Sequence, residues 1–158
     1  NVECVPRLDR MVRDHRASFS QSIAILAEAK KLRPDILTKS SIMVGLGETV
    51  EEVTQTLRLL KDANVDLITI GQYLAPSSKH LSVDRFPQPE QYDIWAKQAI
   101  SMGFSGIASG PLVRSSFKAG LLLRKSQDPQ NSESMPGAYV YVNDLQDIHT
   151  TSLKADID

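Results

Sequence analysis

A chain of 158 residues, 41% hydrophobic and 23% charged, has the length and apolar content for one domain with a buried core. Its formal charge of −1 and pI near 6.3 offer no general attraction to nucleic acid or to an anionic membrane surface, so neither is indicated as a partner. The single cysteine, Cys4, excludes an internal disulfide and any multi-cysteine metal site made by this chain alone.

No apolar run approaches the roughly 20 residues of a membrane span, and Asn1 to Arg16 is charged and proline-containing rather than a signal sequence. A first residue other than Met leads us to expect a segment of something longer. Asn1 to Leu8 reads as the tail of a strand entering a loop, which Arg7, Arg10, Arg13, His15 and Arg16 make basic. Such a loop is either solvated or a clamp for an anion, because guanidinium groups pair carboxylates bidentately. His15 has no partner at metal-ligand spacing and reads as a surface histidine.

Ile23, Leu26, Ala27 and Lys30, spaced by three and four, predict a helix over 20–32 that stops before Pro34. Residues 38–48, Thr-Lys-Ser-Ser-Ile-Met-Val-Gly-Leu-Gly-Glu, read as a buried strand running into a glycine-rich turn. Thr49 and Glu52 form a capping-box pattern, and Val50, Val53, Leu57 and Leu60 continue it at helical spacing. Gly45 and Gly47 remove side chains where the strand ends, and the helix amide terminus beside them favours a negative group. The turn is a candidate site floor; equally, its glycines only turn the chain. No glycine follows at the sixth position, so a dinucleotide fingerprint is not supported.

Leu67 to Leu74, β-branched at alternate positions, predicts a second buried strand. Strand, helix and strand together take about 35 residues, the size of a crossover unit that makes two strands parallel. The polar loop from Pro76 to Pro89 then lies where α/β folds keep their sites. Pro89 suits a first helical position, and Tyr92, Trp95, Ala96, Ala99 and Met102 form the apolar stripe of a helix that Gly103 ends. Tyr92 and Trp95 read as packing residues rather than a cofactor stack, and Phe104 to Ser109 predicts a third strand.

Gly110 to Gly120 follows that strand directly. Ser115 and Ser116 there either cap a short helix through Arg124 or carry chemistry. A nucleophilic serine needs a base, and no motif ties His15, His80 or His149 to either of them, so a hydrolase triad is not supported. Residues 126–158 are polar and acidic, with Pro129, Pro136 and one possible short strand, Tyr139 to Val142. They read as a flexible tail beyond a domain over 1–125.

Four separated pieces in order carry a family resemblance. They are Asn1-Val2-Glu3 with Val5-Pro6-Arg7-Leu8 and Val12-Arg13; Thr38-Lys39-Ser40 through Met43 to Thr49; Thr69 to Leu74 with Pro76-Ser77; and Ala108 to Phe117. Over about 1–123 the chain resembles the C-terminal part of lipoyl synthases, radical S-adenosylmethionine enzymes. The resemblance implies an α/β fold, the C-terminal half of a partial parallel (β/α) barrel of the radical SAM type, with its site at the carboxyl ends of the strands. It implies insertion of two sulfurs at C6 and C8 of a protein-bound octanoyl-lysine. One [4Fe–4S] cluster cleaves S-adenosylmethionine and a second, auxiliary [4Fe–4S] cluster donates the sulfur.

In the family's Arg-Ser-Ser motif the second serine is the fourth ligand of the auxiliary cluster, and it matches Ser116. An oxygen ligand suits thiolate-type sites poorly, so an iron held by serine should leave more easily. Arg114 beside it would favour the deprotonated oxygen. Gly45, Gly47 and Glu48, with Asn1 and Glu3, would border S-adenosylmethionine. The implied partner is an octanoylated lipoyl domain or a glycine-cleavage H-type carrier protein. The implied compartment is the cytoplasm, or the mitochondrial or plastid matrix in a eukaryote.

The chain has none of the six cysteines that hold the family's clusters, and Cys4 stands where the family usually has threonine. Alone it is therefore expected to hold neither cluster in full and to be inactive. Two alternatives stand beside this reading. One is a non-catalytic remnant or interaction domain that kept the half-barrel; the other is an unrelated (β/α) enzyme binding a phosphorylated or carboxylated metabolite over the Gly45 turn.

Overall fold

The computed structural model describes residues 1–116 and 139–142. Three strands, β1 (Lys39–Val44), β2 (Leu67–Gln72) and β3 (Gly106–Gly110), lie side by side and parallel. They alternate with helices α3 (Val50–Asp62) and α4 (Pro89–Ser101). A single turn, α1 (Asp9–Val12), and helix α2 (Phe19–Leu32) precede the sheet. The α/β alternation expected from the sequence is therefore present.

Each boundary has a local cause. Ser18 caps α2 by accepting the Gln21 amide at 3.2 Å. Thr49 and Glu52 form the full reciprocal box at the start of α3. Pro89 opens α4, and Gly103, at φ +87°, lets the chain turn away after it. β2 ends two residues earlier than the alternation suggests, although Tyr73 still donates its amide to the Val44 carbonyl at 2.8 Å.

Alternation along the strands divides the sheet into two faces. Ile42, Val44, Ile68, Ile70 and Ile107 pack against Val53, Leu57 and Leu60 of α3 and Tyr92, Trp95, Ala96 and Ala99 of α4. Tyr92 and Trp95 are fully buried and meet edge to face, ring centroids 5.6 Å apart, so both are packing residues as expected. The opposite face carries Ser41, Met43, Thr69, Gly71 and Ala108, mostly small or polar.

β4 (Tyr139–Val142) pairs with β3 and runs antiparallel to it, giving the order β1-β2-β3-β4. The possible strand in the acidic segment thus forms and extends the sheet. The rest of the expected tail over 126–158, and the expected short helix through Arg124, lie outside the described residues. Before β1, Glu3 makes a parallel bridge to Ile42, with Glu3 N to Ser41 O at 3.0 Å and Met43 N to Glu3 O at 2.7 Å. This bears out the strand-like reading of the first residues.

Candidate functional site

Glu3, the carboxyl-terminal halves of β1 and β2, the segment after β2, the turn after β3, and α1 line a cleft of about 730 Å³. Its floor is the small-residue face of the sheet at Ser41, Met43 and Gly71, its walls include Met11, Leu74 and Leu81, and Glu3, Tyr73 and Arg114 bring polar groups to it. A cleft at the carboxyl ends of parallel strands is where α/β folds place ligands. Glu3 holds φ +68° there, a left-handed conformation that costs a residue with a Cβ about 1 kcal/mol or more. Its backbone bonds to β1 on both sides hold it in place. Asn1, two residues before it, is exposed.

The glycine turn does not line this cleft but adjoins it, sharing a smaller pocket with Met11, Val12 and Leu81 through Leu46, and it supplies its own anion. Glu48, with 1% of its side chain exposed, accepts the Gly45 amide through Oε1 and the Leu46 amide through Oε2, both at 2.9 Å. Arg85, from the β2–α4 loop, donates to Glu48 Oε1 at 3.1 Å and to the Glu48 carbonyl at 3.0 Å. The Asp84 amide adds a bond to the Gly45 carbonyl at 2.9 Å. Gly45 sits at φ +94°, and a Cβ there would overlap the Gln72 amide nitrogen and the Arg85 carbonyl. Gln72 in turn donates to the Arg85 carbonyl at 3.2 Å and accepts from the Tyr92 hydroxyl at 3.0 Å. Burial, helped by the Glu48 charge, pushes that phenol up to about 12, so it stays a donor. The negative group that the turn's amides favour is thus a side chain of the same turn.

The basic stretch expected as a loop is helical in its first half, a 3₁₀ turn over Pro6–Leu8 opened by Pro6 and then α1, and Arg7, Arg13 and Arg16 are engaged within the chain. Arg7 grips the Glu52 carboxylate at 2.6 and 3.0 Å and reaches the Gly47 carbonyl at 2.7 Å. That guanidinium and the Thr49 amide hold the Glu52 carboxyl down to about 2. Arg13 donates to the Ser22 hydroxyl at 2.9 Å, and Arg16 pairs with Asp14. His15 is a surface side chain, 87% exposed, as expected.

The turn after β3 is drawn across the floor of the cleft. A Cβ at Gly71 would overlap the Val113 carbonyl oxygen, so only glycine lets this backbone lie on β2. Arg114 Nη1 donates to the Val113 and Pro111 carbonyls at 2.7 and 3.0 Å and braces its own turn. Lys39 Nζ, from the start of β1, donates to Thr69 Oγ1 at 3.1 Å and to the Ser115 carbonyl at 2.5 Å. Burial lowers the Lys39 pKa from its ordinary value, opposed by the charge of Glu3. Ser115 lines the cleft and Ser116, next to it, is exposed.

Metal ligands are sparse in this set. Among the described residues no three His, Cys, Asp or Glu side chains gather as a metal site. Cys4 is fully buried, and that burial first, then the Asp9 charge, pushes its thiol up to about 12, so it stays protonated and unsuited to bind iron. The described residues do not fit a whole iron-sulfur cluster. What they present there is two exposed serines, Ser115 lining the cleft and Ser116 next to it in the chain.

The structure therefore brings Glu3 and Ser115 to one cleft, with Ser116 next in the chain, and groups Gly45, Gly47 and Glu48 in a closed turn beside it. Lys39, Gln72 and Arg85 were not singled out by the sequence reading. A lone glycine inside the β-branched run Leu67–Gln72 was the available signal that another backbone approaches there.

No family model matches the chain. Among curated proteins, "Lipoyl synthase, mitochondrial" of Bos taurus is 50% identical over 126 residues, covering 80% of this chain and 34% of that protein. The protein of the same name from Yarrowia lipolytica is 52% identical over 120 residues, covering 76% and 34%. That of Drosophila sechellia is 45% identical over 141 residues, covering 86% and 37%. The chain spans about a third of the length of these curated relatives. Identity near one residue in two, sustained over most of a chain with this parallel sheet and cleft, makes the chain a portion of a protein of the lipoyl synthase family.

Proposed function

We propose that the protein to which this chain belongs inserts two sulfur atoms, at C6 and C8, into an octanoyl group held on a lysine of a lipoyl domain or an H-type carrier protein. The observation that carries this reading is the 50% identity to lipoyl synthases over 126 residues, which includes the Arg114-Ser115-Ser116 turn in a chain whose cleft lies at the strand ends. When bound, two [4Fe–4S] clusters and S-adenosylmethionine would supply the activation of the two carbons and the sulfur. The parallel sheet would be part of a radical SAM-type (β/α) barrel, with the domain running over 1–125.

In this proposal Ser116 contributes one oxygen ligand to the auxiliary cluster, and the cysteine ligands come from outside this chain. Glu3 and Asn1 border S-adenosylmethionine with the Gly45–Glu48 turn. Because the Glu48 carboxylate is spent on the Gly45 and Leu46 amides, its part is to fix the shape of the turn, and the turn presents backbone. The apolar walls Met11, Leu74 and Leu81 suit an acyl chain. The relatives are named mitochondrial, which supports a location in the mitochondrial matrix.

The test is to incubate the full-length protein, reconstituted with iron and sulfide, with an octanoylated carrier protein, S-adenosylmethionine and a reductant. Mass spectrometry of the carrier should find two sulfur atoms gained at the octanoyl group. An unchanged octanoyl group, with both clusters present, would overturn the reading.

A further inference from the structure

The cleft does not end at its apolar wall. Beside it lies a second cavity of about 200 Å³, and Met11, Val12 and Leu81 line both spaces. Leu8 and Leu46 continue the apolar lining on the far side, and Ser82 and Asp84 are the polar residues there. Met11 and Val12 of α1 and Leu81 of the β2–α4 loop thus form a partition between the two. A chain laid along the apolar wall of the cleft reaches this partition, beyond which apolar surface continues.

The two sides of the partition differ in stiffness. Met11 is unbranched, 63% exposed and carried on a single helical turn, so it adapts to what lies against it. Leu81 is held by its backbone. Tyr73 donates its hydroxyl to the Leu81 carbonyl at 2.9 Å, and Tyr73 is itself buried and tied to β1 by its amide bond to the Val44 carbonyl at 2.8 Å. Three residues after Leu81, the Asp84 amide bonds the Gly45 carbonyl at 2.9 Å. The loop is therefore fixed on both sides of the Leu81 side chain, which nevertheless stays 37% exposed inside a cleft. Covering such a side chain with an apolar ligand is favourable, by about fourfold in binding for each methylene buried.

We infer that Leu81 is a specificity-determining residue for acyl-chain length: clasped by the Tyr73 hydroxyl, its side chain closes the cleft off from the side cavity and stops a chain longer than octanoyl. This rests on the proposed reading of the cleft as the acyl site and adds what sets the length it accepts. Tyr73 is the positioning residue of the pair and acts through the Leu81 backbone.

The test is binding without turnover. Full-length protein, with no reductant present, is titrated with a fluorescent lysine peptide that carries no acyl group, an octanoyl group or a decanoyl group, and binding is read by anisotropy. Wild type should prefer the octanoyl to the decanoyl peptide by about tenfold or more, the discrimination available where a methylene does not fit an apolar pocket. Leu81→Ala, which opens the partition, should bring that ratio to about one or invert it. Tyr73→Phe, which keeps the ring and removes the clasp, should lower the ratio part of the way, and Leu81→Ile, of equal volume, should stay near wild type. A ratio unchanged in both Leu81→Ala and Tyr73→Phe, or a wild type that binds the two lengths alike, would overturn the inference and leave the acyl site standing. Acyl peptides that bind wild type no better than the bare peptide would remove the acyl reading of the cleft, and the inference would fall with it.

Discussion

The Glu48 carboxylate bridges the Gly45 and Leu46 amides at 2.9 Å each while Arg85 pairs with it from the loop above, so the conformation of the glycine turn and the closure of that loop share one anion. Glu48→Gln keeps the shape, loses the charge and aims an amide donor at one of two backbone donors. In the full-length protein we expect a loss of about 1–3 kcal/mol in urea unfolding, the range for leaving a buried backbone donor unsatisfied. The Asp84–Arg85 loop should also become more open to proteolysis. Unchanged stability and protection would mean that the turn is held by its backbone alone.

Gly71→Ala tests the approach of the Val113 carbonyl to β2. The added methyl must push the 111–116 turn off the strand, at a cost of about 1–3 kcal/mol typical of overpacking. Crystallography or chemical shifts of the variant should find Val113 and Arg114 displaced, with β1–β2 pairing retained. A turn left in place with no loss of stability would contradict the packing described.

The strands and helices were legible because the patterns that define them are local. Val50, Val53, Leu57 and Leu60 carry the period of α3, Thr49 and Glu52 its cap, and Pro89 and Gly103 the two ends of α4. The antiparallel direction of β4 was not legible, because pairing partners of a four-residue run lie far away in sequence. Of the candidate site the sequence offered positions, and their spacing did not say which of them share a cleft. The glycines of the turn announced room for an anion, but that Glu48 three residues on would occupy it depends on Arg85, which sits in a loop with no periodicity to mark it. Lys39 read as one polar residue at a strand end, and only the fold brings the Ser115 carbonyl to it.

Acid stability follows from Arg7 and Glu52. The Glu52 carboxyl falls from 4.5 to about 2 in the folded protein, so its contribution is complete above pH 4.5 and is lost as the pH drops towards 2. Glu52→Gln should flatten the pH dependence of stability in that window and lower stability near neutrality by a constant amount, where the Arg7 pair is lost and the cap weakened. A slope between pH 4.5 and 2 identical to wild type would show that Arg7 does not hold this carboxylate in solution.

The central claim is that Ser116, and not Ser115, serves the sulfur donor. The measurement is lipoyl product and deoxyadenosine, each per full-length enzyme, for wild type, Ser115→Ala, Ser116→Ala and Ser116→Cys. Ser116→Ala should lower the lipoyl product by a factor of about 10–100 or more, since even the partners that only orient a metal ligand carry that much, and raise the ratio of deoxyadenosine to product. Ser116→Cys should retain the cluster with slowed sulfur release, because a thiolate holds iron more tightly. Ser115→Ala, which leaves the carbonyl held by Lys39 in place, should lose little product. Lipoyl product at the wild-type level from Ser116→Ala would contradict the account.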